Sequence, residues 1–364
     1  MPRVIGIDPG SLSFDLCGLD DGRVFLDLSI AAEDAARTPA LLVDHLSAAG
    51  PLDLIGAPSG YGLPLVPVGE LSEEQLNLFV LVREDDRGQP EMVGGLRAMV
   101  EMMRARRLPG IILPGVIHLP TVPAHRKVNR IDMGTADKVC AAALGITDQA
   151  RRLGLAPRET SFILVELGGT FTAALAVEQG QIVDGIGGTA GGLGYRALGT
   201  LDGEVAYALG RVPKSLLFSG GAAFVAGEPG LPPESLWERA AAGGRARRAC
   251  DAFLESIEKM VAALRVSLPG PREILLSGRL ALVPAIADAV TARLKGLAPL
   301  RPVTRFAARS KEAAQGAALI ADGLAGGGNR ALVETMRLRE AGGTILDHLY
   351  VAGVEGIRRQ FLLP

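Results

Sequence analysis

One arrangement occurs twice in this sequence, and it constrains the fold more than anything else. Residues 3–7 form a short apolar run ending in Asp8-Pro9-Gly10, and 14–20 and 23–30 then read as strands joined through Asp21-Gly22. An Asp-Gly pair between two apolar runs predicts a tight hairpin, because that turn needs positive φ at both central residues. The arrangement returns at 161–187, where SFILVEL, FTAALAVEQ and QIVDGIG meet at Gly168-Gly169 and at Gly180. In both units the first strand ends in a carboxylate, then glycine, then hydroxyls. Asp8 and Glu166 stand 158 positions apart, so two related α/β units are expected.

The rest of the pattern supplies covering helices. In the first half a helix is predicted over 33–49, a buried strand over 52–57 and a Gly/Pro loop over 59–69. Helices follow over 72–82 and 94–107, then a proline-broken apolar run over 110–122, a charged loop over 126–132 and a helix over 134–153. The second half continues through a Gly-rich stretch and a long helix over 235–267 that breaks at Gly243-Gly244. A strand at 273–278, a helix at 280–296, a strand-like 300–306 and a helix at 310–323 complete it. The expected division is 1–155, 156–326 and a helical tail over 327–364 that packs back on the body.

Composition narrows the function. The chain has 364 residues, 38 Lys+Arg against 40 Asp+Glu and a net charge of −2. That excludes nucleic-acid binding by bulk electrostatics. With 48% hydrophobic and 21% charged residues, disorder as the main state is excluded too. Cys17, Cys140 and Cys250 are widely spaced, and His45, His118, His125 and His348 are scattered, so neither a disulfide framework nor a zinc site is expected. The longest uncharged stretch, between Arg107 and Arg126, holds four prolines, which suits no membrane span. The opening MPRVIGIDPG runs straight into a strand and is read as lacking a signal peptide. A cytoplasmic protein is expected.

The 47 glycines mark turns and places where backbone approaches something closely. In Asp8-Pro9-Gly10-Ser11-Leu12-Ser13, a carboxylate at a strand end can hold a Mg²⁺ hydration shell while turn N–H groups face phosphate oxygens. Glu166-Leu167-Gly168-Gly169-Thr170 offers the same parts, and the two could clamp one polyphosphate from both sides. Each could also be an ordinary turn. Ser277-Gly278 lies between a strand and a helix, where backbone can pass over an adenine or ribose; Ser219-Gly220-Gly221 is a rival copy. Ala313-Ala314-Gln315-Gly316-Ala317-Ala318 gives a helix with a small-residue face, suited to close contact between domains. The Gly-rich 185–199 is expected at a movable edge of the cleft.

The order of these motifs resembles the sugar kinase, Hsp70 and actin (ASKHA) superfamily over most of residues 3–323. With the segment 126–138 (RKVNRIDMGTADK), the whole chain resembles the DUF1464 family of predicted butyrate kinases. The resemblance implies two duplicated ribonuclease H-like domains (βββαβα), with ATP and Mg²⁺ in the cleft between them. It implies Asp8, Gly10, Ser11 and Ser13 as the first phosphate motif, Gly168, Gly169 and Thr170 as the second, and Ser277 and Gly278 at the adenosine. Asp8 and Glu166 are the implied metal ligands. Glu166 departs from the Asp common in the superfamily, and Ser-Gly-Arg from its Gly-Gly.

A carboxylate acceptor is already ionised and needs cations rather than a base. Arg126 and Arg130, flanking Lys127 and close to Asp132, form a cationic loop suited to an anionic acceptor. With Asp8 they are the expected catalytic residues, and the apolar 110–122 could line an aliphatic pocket beside them. A sugar or polyol acceptor would need a base, for which Asp132 or Asp137 could serve. A nucleotide-switch protein acting on a protein partner, and a scaffold without turnover, are the other readings. The expected partner is a small anionic molecule, and a homodimer is allowed.

Overall fold

The computed structural model describes residues 2–10, 12–38, 40–57, 60–83 and 94–361. Ser11 lies outside the described residues. The first sheet contains β1 (Arg3–Pro9), β2 (Ser13–Asp20), β3 (Arg23–Ala31), β4 (Leu54–Ala57), β5 (Val66–Pro67) and β6 (Gly110–Ile112), in the order β3-β2-β1-β4-β6-β5. The second contains β7 (Ser161–Leu167), β8 (Thr172–Glu178), β9 (Gln181–Ile186), β10 (Glu273–Ser277) and β11 (Leu300–Pro302), in the order β11-β10-β7-β8-β9. Apart from the two-residue β5, the orders match strand for strand. In each sheet an antiparallel meander is extended by two parallel strands. The duplication read from the sequence is therefore a duplication of topology.

The local chemistry explains these elements. Asp21 and Gly22 take φ of 50° and 73°, and Gln179 and Gly180 take 52° and 69°, so both hairpins close through the same left-handed pair. Ser72 and Gln75 form a reciprocal capping box that starts the helix Glu73–Val80. The long helix breaks into Pro233–Ala240 and Gly244–Ser267, with Gly243 at φ 84°. Three expectations change. The helix over 33–49 is two helices, Ala32–Arg37 and Ala40–Ala48, on either side of Pro39. The strand at 300–306 is only Leu300–Pro302. The apolar run 110–122 yields a three-residue strand and then buried loop and 3₁₀ turn.

Two helices form the middle of the molecule, and each packs on the sheet of the opposite half. Glu312–Leu324, from the second half, lies against the first sheet: a Cβ on Gly6 of β1 would stand 2.2 Å from the Ala314 carbonyl, and one on Gly56 of β4 2.8 Å from that of Ala317. Ala136–Leu153, from the first half, lies against the second sheet, where a Cβ on Gly145 would stand 2.9 Å from the Phe162 ring. The helices meet where a Cβ on Gly316 would fall 1.8 Å from the Cys140 carbonyl. One apolar core runs through this stack, from Val4 and Ile5 through Ala314 and Val139 to Leu164 and Leu275. A second fills the outer face of the second sheet under Gly244–Ser267 and Pro284–Leu294.

The tail carries the helices Arg330–Thr335 and Val354–Phe361 and crosses the first half. Gly342 N donates to the His118 carbonyl at 3.0 Å, Asn129 N to that of His348 at 2.8 Å, and Tyr350 N to Asn129 Oδ1 at 2.7 Å. Among the described residues no helix is long and apolar enough to cross a membrane.

Two measurements test this packing. A Gly316→Ala variant must move one helix off the other and is expected to lose about 1–3 kcal/mol of stability. Gly296→Ala, which meets nothing within 4 Å, should leave the urea midpoint unchanged. Equal midpoints would mean the helix contact can relax at no cost. His118 is buried, and burial, helped by Lys127 and His348, pushes its pKa down to about 4. The unfolded chain therefore binds the extra proton first, and stability should fall between pH 6.5 and 4 by up to about 3 kcal/mol. His118→Leu should flatten this dependence in urea titrations.

Candidate active site

Three strand ends converge at the cleft between the halves. β1 delivers Asp8, β7 delivers Glu166, and β10 places Ser277 beside Glu166 in parallel register. The two central helices begin at the same place, each with a lysine. Lys138 Nζ pairs with Asp137 and lies 3.2 Å from Glu166 Oε2. Lys311 Nζ lies 2.8 Å from Asp8 Oδ2 and 3.1 Å from Asp15 Oδ2. Each phosphate-type turn thus has its own lysine, carried by a helix that the opposite half contributes and the turn's own sheet supports.

The charge balance is visible in the pKa directions. Burial, reinforced by Asp137 and Asp15 and opposed by Lys311, raises Asp8. Burial pushes Glu166 up to about 7 against the pull of Lys138, with Asp137 and Asp8 adding to the rise. Burial also acts on Asp137, but the Lys138 charge and the bonds from Lys138 and Thr135 hold it below the usual carboxylate range. Both lysines are held above the ordinary value by these carboxylates, although burial opposes it. Among the described residues no three His, Cys, Asp or Glu side chains converge as a protein-only metal cage. The buried Glu166 Oε2 accepts no hydrogen bond. One or two such carboxylates with phosphate and water are the donor set Mg²⁺ takes, so Asp8 and Glu166 fit that ion.

Glycine keeps the turns open. A Cβ on Gly10 would lie 2.4 Å from Lys311 Nζ. Gly278 sits at φ 90°, where a Cβ would also press within 2.5 Å of the Leu167 carbonyl. The two turns touch across the cleft, since a Cβ on Gly169 would come within 2.5 Å of Leu12 Cδ1. Arg279 Nη2 adds a hydrogen bond to Ser13 Oγ at 3.2 Å.

A cavity of about 520 Å³ opens at this junction. Asp8, Gly10, Asp132, Glu166, Gly168, Gly169, Thr170, Ser277 and Gly278, all singled out in the sequence, line it. Ser13 is buried just behind, its hydroxyl donating to Asp15 Oδ2 at 2.8 Å. Gly220 and Gly221 do not line the cavity; Gly221 backs onto Tyr195 and Arg196.

The cationic loop is elsewhere. Arg126 Nη1 donates to the Val183 carbonyl at 2.7 Å, Lys127 Nζ donates to that of Leu119 at 2.8 Å, and Arg130 is exposed outside the lining. Through Arg126 and Asn129 the loop ties β9 and the tail to the body. The run 110–122 does not line the cavity either; it is core. The Gly-rich 185–199 touches the cavity through Gly188 and Thr189, yet it is packed on both sides: Gly187 against Asp132, Gly192 against Ser256 and Gly194 against the Thr170 carbonyl.

Residues the sequence did not single out complete the site. Lys214 Nζ donates to Tyr61 Oη at 3.0 Å and lies 4.8 Å from that ring's centroid. Asp132 Oδ2 accepts from Thr189 N and Oγ1, each at 2.9 Å, and its Oδ1 accepts from Gly134 N at 3.1 Å. Phe171 and Phe218 meet edge to face, 5.0 Å between centroids, and line the same end with Leu217. The only sequence signals for the lysines are their places just inside or before a helix start, which look like ordinary caps.

A family model described as a protein of unknown function (DUF1464) matches residues 6–351. No curated protein matches the chain. Among solved structures, a propionate kinase from Francisella tularensis subsp. tularensis SCHU S4 superposes with a TM-score of 0.60 at 13% identity, covering 87% of this chain and 99% of that one. An acetate kinase from Entamoeba histolytica gives 0.59 at 12%, covering 81% and 87%, and one from Porphyromonas gingivalis gives 0.56 at 15%, covering 82% and 88%. The shared property is the fold.

The lysine pairing can be tested without a substrate. Lys311→Met leaves Asp8 and Asp15 without their counter-charge and should cost about 3 kcal/mol at neutral pH. Lys295→Met, at an exposed position, should cost nothing measurable. Equal urea midpoints for the two variants would remove Lys311 from the architecture of the site.

Proposed function

The chain belongs to the DUF1464 family, and from the geometry of its cleft we propose that it is an ATP-dependent kinase of a small carboxylate, making an acyl phosphate. The observation that carries this is the facing pair of phosphate-type turns, in contact through Leu12 and Gly169 and each served by a lysine. Turn N–H groups over Gly168–Thr170 bind the polyphosphate, Gly10 leaves room for it beside Lys311, and Ser277-Gly278 supports the adenosine. Asp8 and Glu166 hold Mg²⁺, which neutralises phosphate charge when bound with the nucleotide. Lys138 and Lys311 orient these carboxylates.

The acceptor sits at the Tyr61–Lys214 end. Lys214 and the Tyr61 hydroxyl hold its carboxylate, while Phe171, Leu217 and Phe218 cover a short aliphatic body. A carboxylate is favoured over a sugar because the candidate bases are engaged. Asp132 accepts three hydrogen bonds, and Asp137 is bound by Thr135 and Lys138. An ionised acceptor needs no proton removed.

The test is ADP release with short-chain carboxylates, with sugars and with no acceptor, together with hydroxylamine trapping of acyl phosphate. Carboxylate-dependent release with hydroxamate is expected; release with sugars alone, or without an acceptor, would overturn the acceptor assignment. Asp8→Asn should abolish Mg²⁺-dependent turnover with the circular dichroism unchanged. Lys214→Met should raise the acceptor KM roughly tenfold or more, the loss of one charge-assisted bond, with ADP affinity unchanged.

A further inference from the structure

The residue after Gly278 is an arginine where the superfamily pattern leads no one to expect one. Arg279 follows β10 in the second half, yet its guanidinium reaches Ser13 in the first, with Nη2 3.2 Å from the hydroxyl oxygen. On the way it passes over the second phosphate-type turn, its Cδ 3.9 Å from where a Cβ on Gly169 would stand. It lines the same cavity as Asp8, Gly10 and Lys311. Lys138 and Lys311 are both committed to carboxylates. Among the described residues no carboxylate pairs with Arg279, which donates to a neutral hydroxyl that itself donates to Asp15.

A cation spanning both turns, unneutralised by its surroundings, lies where a polyphosphate between those turns would pass. We propose that Arg279 is a catalytic residue, the guanidinium that binds the phosphoryl group in flight. This rests on the kinase reading above. In the transfer, the bond between the γ-phosphorus and the β–γ bridging oxygen breaks, and its electron pair stays on ADP. A bond forms from an acceptor carboxylate oxygen to the same phosphorus, and no proton moves. Arg279 exchanges the Ser13 hydroxyl for the equatorial oxygens of the transferred group. Its planar fork can span two of them, which an ammonium cannot do. The departure from Gly-Gly is then a gain of function at the phosphates and not a decayed adenosine site.

The experiment compares the full chain with Arg279→Ala and Arg279→Lys in two assays. The first is calorimetry of ADP with Mg²⁺, with and without aluminium fluoride as the probe of a phosphoryl in flight. In the unaltered chain aluminium fluoride should tighten ADP binding. Arg279→Ala should bind ADP within about threefold of it but lose the tightening, and kcat should fall roughly 10²–10³-fold. Arg279→Lys should lie between, and guanidinium ions should restore part of the Arg279→Ala rate. If Arg279→Ala keeps the tightening and the rate, or loses ADP affinity in proportion to rate, the proposal is wrong and the kinase reading stands. An unaltered chain that binds ADP without tightening also overturns the Arg279 role alone. Absence of ADP binding overturns the kinase reading itself.

Discussion

The contact between Gly316 and the Cys140 carbonyl sets the geometry of everything else. Two buried helices can lie this close only where one of them has no side chain. Their closeness fixes the distance between the two sheets, and so the width of the cleft. It also brings two helix starts to one place, and with them Lys138 and Lys311. A molecule with ordinary helix spacing here would keep both sheets and lose the alignment of the strand ends. Gly6, Gly56 and Gly145 extend the same device outward, one layer at a time.

Around this frame the site is built as an acidic cluster with partial compensation. Asp8, Asp15, Asp137 and Glu166 share two lysines, and burial, with the neighbouring carboxylates adding to it, raises Asp8 and Glu166 despite them. Such a cluster repels a polyphosphate unless a divalent cation arrives with it. The near-neutral composition is consistent with that design. In the proposed kinase, anion recognition falls to backbone N–H groups, a metal and a few placed cations.

Local chemistry was the legible part of the sequence. Asp21-Gly22, the break at Gly243-Gly244 and the two carboxylate-glycine turns each act within a few residues, and each lies where the pattern placed it. The small-residue face of 313–318 was legible as a close contact, although not which sheet it would meet. The cationic loop misled because composition says nothing about where a side chain is already bonded: Arg126 and Lys127 are used by the Val183 and Leu119 carbonyls. Lys214 and Tyr61 were invisible for the converse reason. They are 153 positions apart, neither sits in a motif, and only the folded chain makes them neighbours.

The crossing of the central helices has a consequence for the order of synthesis. The first sheet is nearly complete once Ile112 has left the ribosome, but the helix that covers its inner face ends only at Leu324. For more than half the chain's length the apolar side of β1 and β4 has no native cover. Long-range closure of this kind is slow, and exposed apolar surface in the interval is a hazard for aggregation.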